Sequence, residues 1–236
     1  MKQLLLYIKF ALQFAIENKT LKHIKQYKRW YSDMHSGKTT MSLGLPWMTY
    51  DAIAFLEEIT SEENNVFEWG SGGSTIFFAA RCKQVISVEH DKEWSKILKK
   101  KLDKLDINNV VLQEIEGEKT GNFLILNPEN ADDYASKELK SAGLSYEKYV
   151  KAIDQYKNNF FDIIVVDGRV RNACIKRAIP HIKKGGYLIV DNSDRNYYLS
   201  EFNFLNNQNE WKKSEFVGPV FFQHAFSKTS IFKKLF

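Results

Sequence analysis

A chain of 236 residues with 44% hydrophobic, 27% charged and 14% aromatic residues can bury a sizeable core, which excludes intrinsic disorder and fits one large or two small domains. Two cysteines, Cys82 and Cys174, with no Cys or His nearby at ligand spacing, exclude a disulfide scaffold and read as buried thiols in a reducing, cytoplasmic compartment. The formal charge of +5 is local: residues 1–30 hold seven basic residues against Glu17, net +6, leaving −1 for the rest.

Residues 4–16 are apolar apart from Lys9 and Gln13, and in a helix Lys2, Lys9, Gln13 and Glu17 share one narrow strip. Thirteen helical residues span roughly 20 Å, short of the roughly 30 Å hydrocarbon core of a bilayer. The basic run after Ile16 offers no signal-peptide cleavage site. Beyond it, Leu21, Ile24, Tyr27 and Trp30 recur every third residue among Lys22, Lys25 and Lys28, which makes a basic amphipathic stripe. Three readings fit: a helix packed on its own domain or on a second subunit, a helix lying on the anionic inner face of a membrane, or a nucleic-acid contact. No comparable basic patch follows, so nucleic acid is not expected as a partner. Ser36–Leu45 predicts a linker, giving an extension over 1–45 and a main domain over 46–236.

In the main domain a helix is expected at Thr49–Ile59. Strands are expected at Val66–Trp69, Val85–Glu89, Val110–Glu114, Asp162–Asp167 and Tyr187–Asp191, with helices starting near Ser74, Lys92 and Asn172. Continuous apolar strands alternating with helices predict an α/β doubly wound, mostly parallel sheet. Two late strands, Lys213–Val217 and Thr229–Lys233, predict an antiparallel hairpin at one edge. On the helix after Lys92, Trp94, Ile97, Leu98 and Leu102 are expected inward and the Lys99–Lys101 run outward. Residues 126–160 form a long insertion, either a lid or a packed excursion, whose helical apolar side holds Tyr146, Tyr149, Val150, Ile153 and Tyr156.

The strongest chemical signal is Val66–Thr75, VFEWGSGGST. A buried strand ends in Glu68, and a turn containing Gly70, Ser71, Gly72, Ser74 and Thr75 opens a helix. Glycines there allow unusual backbone angles and close approach, and a helix start offers unpaired N–H groups. Nineteen residues after Gly70, the second strand ends in Glu89, a carboxylate suited to the two hydroxyls of a ribose. A nicotinamide dinucleotide site wants G-x-G-x-x-G, but Thr75 stands at the third glycine and Glu68 has no task beside an anionic pyrophosphate. On these residues the chain, from Pro46 onward, resembles the class I S-adenosyl-L-methionine-dependent methyltransferases. The resemblance implies a seven-strand sheet ending in the antiparallel hairpin. It also implies that the turn with Glu68, Gly70 and Gly72 meets the methionine part of the cofactor, that Glu89 binds its ribose, and that His90 lies beside its adenine.

A second constellation joins Phe161–Arg171, FDIIVVDGRVR, with Gly185–Asp194, GGYLIVDNSD. Asp167 and Asp191 close adjacent strands and Asn192 follows, a donor set that would suit Mg²⁺. Here the chain is similar to the metal-dependent O-methyltransferases of small molecules. That branch has a Lys three residues after its first Asp, and this chain has Val170. The alternative is that Asp167 orients cofactor or substrate without metal, while Asp191 and Asn192 cap the strand end. Arg169 and Arg171 either recognise a carboxylate or phosphate on the acceptor or pair with neighbouring acids. The expectation is methyl transfer to an oxygen of a small molecule or glycan sugar carrying an anionic group, with Asp167, Asp191 and Arg169 at the chemistry. A catalytically silent cofactor-binding module held by the N-terminal helix is the alternative, and an NAD-dependent oxidoreductase a weaker one.

Overall fold

The computed structural model describes residues 2–121 and 126–236; Met1 and the side chain of Lys2, part of the N-terminal basic strip, lie outside the described residues. Helices α1 (Lys2–Asn18) and α2 (Lys22–Met34) open the chain, followed by a short α3 (Thr40–Leu43) and by α4 (Tyr50–Ile59). The first two run antiparallel, with Phe14 against His23 at 4.3 Å and Tyr7 against Trp30 at 4.7 Å. They sit on the main domain: Tyr7, Ala11 and Trp30 share a core cluster with Phe77, Val85 and Ile189. Trp30 Nε1 donates to the carbonyl of Gln223 at 2.9 Å, and Tyr7 Oη donates to that of His23 at 2.6 Å. Each large apolar side chain so buried contributes about 1.5–3 kcal/mol.

Ser36–Leu45, expected as a linker, carries a capped helical turn packed on the domain. Thr39 Oγ1 accepts from Ser42 N at 3.1 Å and Ser42 Oγ accepts from Thr39 N at 2.9 Å, a reciprocal cap that starts α3. Met41 then packs with Ile76, Leu98 and Leu102.

The main domain continues β1 (Asn65–Trp69), α5 (Gly73–Ala79), β2 (Gln84–Glu89), α6 (Lys92–Lys104) and β3 (Val110–Glu114). An excursion with the short strands β4 (Glu118–Lys119) and β5 (Leu144–Ser145) and helix α7 (Glu147–Val150) follows, then β6 (Phe161–Val166), α8 (Arg171–Ala178), β7 (Ile182–Val190), β8 (Trp211–Gly218) and β9 (Ser227–Lys234). Seven strands make one sheet in the order β3-β2-β1-β6-β7-β9-β8. The first five are mutually parallel, and β9 pairs antiparallel with both β7 and β8, as the sequence predicts. Side chains alternate between the faces. Phe67, Trp69, Ile164, Val166, Leu188 and Val190 join one core, while Val66, Val165 and Ile189 join the other. Strand β7 starts five residues before the expected Tyr187, because Phe161 pairs with Ile182 and a bulge absorbs the Gly185–Gly186 interruption.

The excursion is packed rather than a lid. Tyr146, Tyr149, Val150 and Ile153 are buried in the core beside β1, and Trp69 Nε1 donates to the carbonyl of Tyr149 at 2.9 Å. Of the four apolar residues expected inward on α6, Leu98 and Leu102 are buried, while Ile97 is 52% exposed and Trp94 37%. Asp91 caps this helix by accepting from Trp94 N at 3.0 Å. No described helix is long and apolar enough to cross a membrane.

Candidate active site

Strand order reverses between β1 and β6, and the crevice at the carboxyl ends of strands on either side of such a point is where doubly wound sheets hold ligands. A cavity of about 480 Å³ lies there. Its wall takes Gly70, Ser71, Gly72 and Ser74 from the turn after β1, Glu89 and His90 from β2, Asp167 and Arg169 after β6, and Asp191 and Asn192 after β7. Two residues singled out by sequence do not reach it: Glu68 and Thr75 are fully buried beneath the turn.

Glu68 is the turn's foundation. Its carboxylate accepts from Ser74 Oγ at 2.7 Å, from Ser87 Oγ at 2.7 Å, and from Thr75 Oγ1. Burial raises its pKa to about 7, although the three hydroxyl donors pull the other way. Thr75 Oγ1 also accepts from Gly72 N at 2.9 Å. The threonine that breaks the dinucleotide pattern thus ties the helix start to the buried acid.

Three N–H groups of the turn, all before the helix start, are already engaged. Gly70 N donates to Val88 O at 2.9 Å, Ser71 N to Glu89 Oε2 at 2.9 Å, and Gly72 N to Thr75. Gly70 has φ of +95°, and a Cβ there would stand 2.7 Å from Gly168 N, so the position requires glycine. Gly72 does not: its φ of 164° is extended backbone, and a Cβ would meet only Trp94 at 3.7 Å. The close approach belongs to Gly73, where a Cβ would lie 2.2 Å from Leu45 O and 2.6 Å from Thr40 O. The segment read as a linker sets that demand.

Glu89 accepts from three backbone donors, Ser71, His90 and Asp91, at 2.8–2.9 Å. A carboxylate offers about four lone-pair sites, so capacity remains for a ligand hydroxyl. His90 is half-buried: Nε2 accepts from Arg169 Nε at 3.0 Å, while Nδ1 lies 2.8 Å from Glu89 Oε1 but off hydrogen-bonding geometry. Arg169 also reaches Glu138 of the excursion, so it links the end of β2 to that segment.

The expected Mg²⁺ donor set is occupied by a cation of the chain itself. Arg171, 8% exposed, places Nη2 at 2.9 Å from Asp167 Oδ1 and Nη1 at 3.9 Å from Asp191 Oδ2. It also donates to the carbonyls of Gly168, Asp191 and Asp167 at 3.1, 2.6 and 2.9 Å. Asp191 Oδ1 accepts from Thr229 Oγ1 at 2.7 Å, and Asn192 Nδ2 donates to Ser227 Oγ at 2.9 Å. These residues therefore do not fit a metal ion. Among the described residues no cluster of three or more His, Cys, Asp or Glu could hold one. Of the two readings of Arg171, its contacts are those of pairing with neighbouring acids. Burial raises the pKa of Asp167 and Asp191, and Arg171 opposes the rise in both. Asp191 is 2% exposed and serves as a strut; Asp167 keeps 21% of its side chain open.

Val170, where the metal-dependent branch has its lysine, is 7% exposed and packs in the core with φ of +44°, a conformation rare for a β-branched residue. Asn192, after the next strand, has φ of +48°. Left-handed backbone at both strand ends marks the turns that hold Asp167 and Asp191 in place.

Several wall residues escaped sequence reasoning. Trp94 closes one side, its Nε1 donating to Ser71 O at 2.7 Å. Trp47, half-exposed, donates from Nε1 to Phe221 O at 2.6 Å. Arg195 lies at the rim between the main cavity and a smaller one of about 110 Å³, giving one N–H to Tyr198 Oη at 2.8 Å. Its place directly after Asp194 at the end of the second constellation was the signal available for it.

No protein-family model matches the chain, and no curated protein matches it in sequence. Solved structures do match in fold. An O-methyltransferase from Bacillus cereus in complex with S-adenosylhomocysteine is 13% identical, with 88% of this chain and 96% of that one covered at a TM-score of 0.55. An rRNA methylase from Streptococcus thermophilus is 16% identical over 78% and 93%, TM-score 0.52. A methyltransferase from Geobacter sulfurreducens is 16% identical over 77% and 75%, TM-score 0.50. The fold is that of the class I methyltransferases.

Proposed function

We propose that the protein is an S-adenosyl-L-methionine-dependent methyltransferase acting on an oxygen of a small molecule or glycan sugar that carries an anionic group. The observation that carries this reading is the convergence of the Gly70 turn, Glu89 and Asp167 on one crevice at the strand-order reversal, in a fold shared with a protein that holds S-adenosylhomocysteine. When bound, S-adenosyl-L-methionine supplies an activated sulfonium methyl. The backbone at Gly70 and Ser71 and the Glu89 carboxylate would hold it, with His90 alongside. That the N–H groups of Gly70, Ser71 and Gly72 are already satisfied counts against a pyrophosphate ligand such as NAD.

Asp167 is the proton acceptor of choice, since its raised pKa and open side chain suit a base near neutral pH. Arg171 fixes its carboxylate, and no step requires a metal. Arg195, exposed at the rim with donors to spare, replaces Arg171 as the residue that receives the acceptor's anionic group, with Arg169 beside it. Positioning of the acceptor would provide most of the rate.

Calorimetric titration with S-adenosylhomocysteine and, separately, NAD tests the cofactor; heat only with NAD sinks the reading. Methyl transfer to a panel of anionic and neutral acceptors, with and without chelator, tests the rest. Arg195→Gln should raise the acceptor KM by about tenfold or more and leave the cofactor KM unchanged. Binding of S-adenosylhomocysteine with no transfer to any acceptor would favour the silent module.

A further inference from the structure

Helix α1 carries an apolar row that no described residue covers. With Tyr7 and Ala11 turned into the core, Leu5, Ile8, Leu12 and Ile16 are 61%, 41%, 47% and 80% exposed. Spacings of three, four and four residues place them in one line along the helix. Scattered exposed leucines are ordinary, but a continuous row is not. Leu21 and Ile24, 60% and 43% exposed, prolong the apolar surface into the turn and α2.

The charges around this row are basic apart from Glu17, which lines the groove on the helix's other flank. Lys9 borders it four residues after Leu5, and Lys19, Lys25 and Lys28 follow, all exposed. Among the described residues these four lysines have no acidic partner, whereas Lys22 pairs with Asp51 at 2.8 Å and Arg29 lies over the Tyr50 ring at 4.3 Å. The helix has 17 residues, and no described helix can cross a membrane, so it can lie on a bilayer but not span it.

We propose that α1 docks this protein on an anionic lipid bilayer, with the apolar row sunk to the headgroup level and the unpaired lysines above it. A second copy of the chain is the poorer occupant, because it would set +6 against +6 with Glu17 as the sole acid in either segment. An anionic surface supplies the missing charge. The other flank of α1 lines a groove through Phe10 and Phe14 with Asp194 and Ser227, and Ser227 bonds Asn192 of the crevice. The docked helix is therefore contiguous with the site.

The test is flotation of the full chain with vesicles of phosphatidylglycerol and phosphatidylcholine, or of phosphatidylcholine alone. Wild type should float only with the anionic vesicles and be released when salt shortens the Debye length from about 10 Å to about 3 Å. Combined Leu5→Gln, Leu12→Gln and Ile16→Gln replaces exposed side chains only, and should weaken binding about tenfold for each one removed. Combined Lys9→Glu, Lys19→Glu and Lys25→Glu should abolish binding while the unfolding temperature is kept. No flotation, flotation unchanged by either variant, or equal binding to phosphatidylcholine alone overturns the proposal. So does a dimer by analytical ultracentrifugation that the glutamine variant dissociates, which would assign the face to a second copy.

Discussion

Replacing Arg171 by Met tests whether a guanidinium, and not a metal ion, holds the two strand-end carboxylates together. Met keeps an apolar stem and removes every donor. Asp167 and Asp191, 2.9 and 3.9 Å from the guanidinium, would then face each other without counter-charge, and three carbonyls would lose their donor. Breaking a buried pair by deleting one partner costs about 3–5 kcal/mol, and abandoned buried carbonyls about 1–3 kcal/mol each. These costs overlap, so a net loss of about 5 kcal/mol is expected, a large part of the 5–15 kcal/mol typical of a domain. The carboxylate share depends on pH. Burial lifts both acids above the ordinary 3.8, and without Arg171 both rise further. A carboxyl whose pKa is raised on folding binds its proton more tightly in the folded chain, so stability falls as pH rises through that window and returns on acidification. The variant should therefore lose most at about pH 8 and recover, relative to wild type, about 1.4 kcal/mol toward pH 5 for each unit of added shift. Urea unfolding followed by circular dichroism at both pH values measures this. A loss below about 1 kcal/mol, or one equal at both pH values, refutes the reasoning. Stabilisation of wild type by Mg²⁺ that Asp191→Asn abolishes would refute it as well.

Glu68→Gln and Glu89→Gln should separate a foundation from a ligand contact: S-adenosylhomocysteine affinity should stay within about tenfold for the first and fall by at least about tenfold for the second, by calorimetry. Because the folded pKa of Glu68 is about 7 against 4.5, wild-type stability should decline by roughly 3 kcal/mol between those values as pH rises, a slope that Glu68→Gln removes in pH-dependent melting. Gly73→Ala should cost at least about 1–3 kcal/mol and expose α3 to proteolysis, while Gly72→Ala should be near neutral in thermal unfolding. Equal effects of the two glycine variants would refute the placement of α3 against the turn.

Much of this protein was legible in its sequence because the signals are local. Short, mostly apolar stretches that close at or beside Glu68, Glu89, Asp167 and Asp191 define four parallel strands and, by the geometry of doubly wound sheets, bring those strand ends to one edge. The glycine at 70, the antiparallel hairpin and the basic extension were readable for the same reason. Which side chains face the crevice was not. Glu68 alternates to the face beneath the turn, where Ser74, Thr75 and Ser87 receive it, and a one-residue change of register would have turned it elsewhere. Trp94 lines the cavity through its bond to the carbonyl of Ser71, in a segment distant in sequence, and Gly73 matters because Thr40 and Leu45 return over it. Arg171 reaches into the expected Mg²⁺ donor set through two carboxylates 4 and 20 residues away, and only strand order brings the second of them within reach. Sequence determined the frame and the candidate groups through local periodicity and strand ends. Tertiary structure decided which of those groups satisfy one another and which remain for a ligand, because the pairing of buried charges depends on contacts between distant segments.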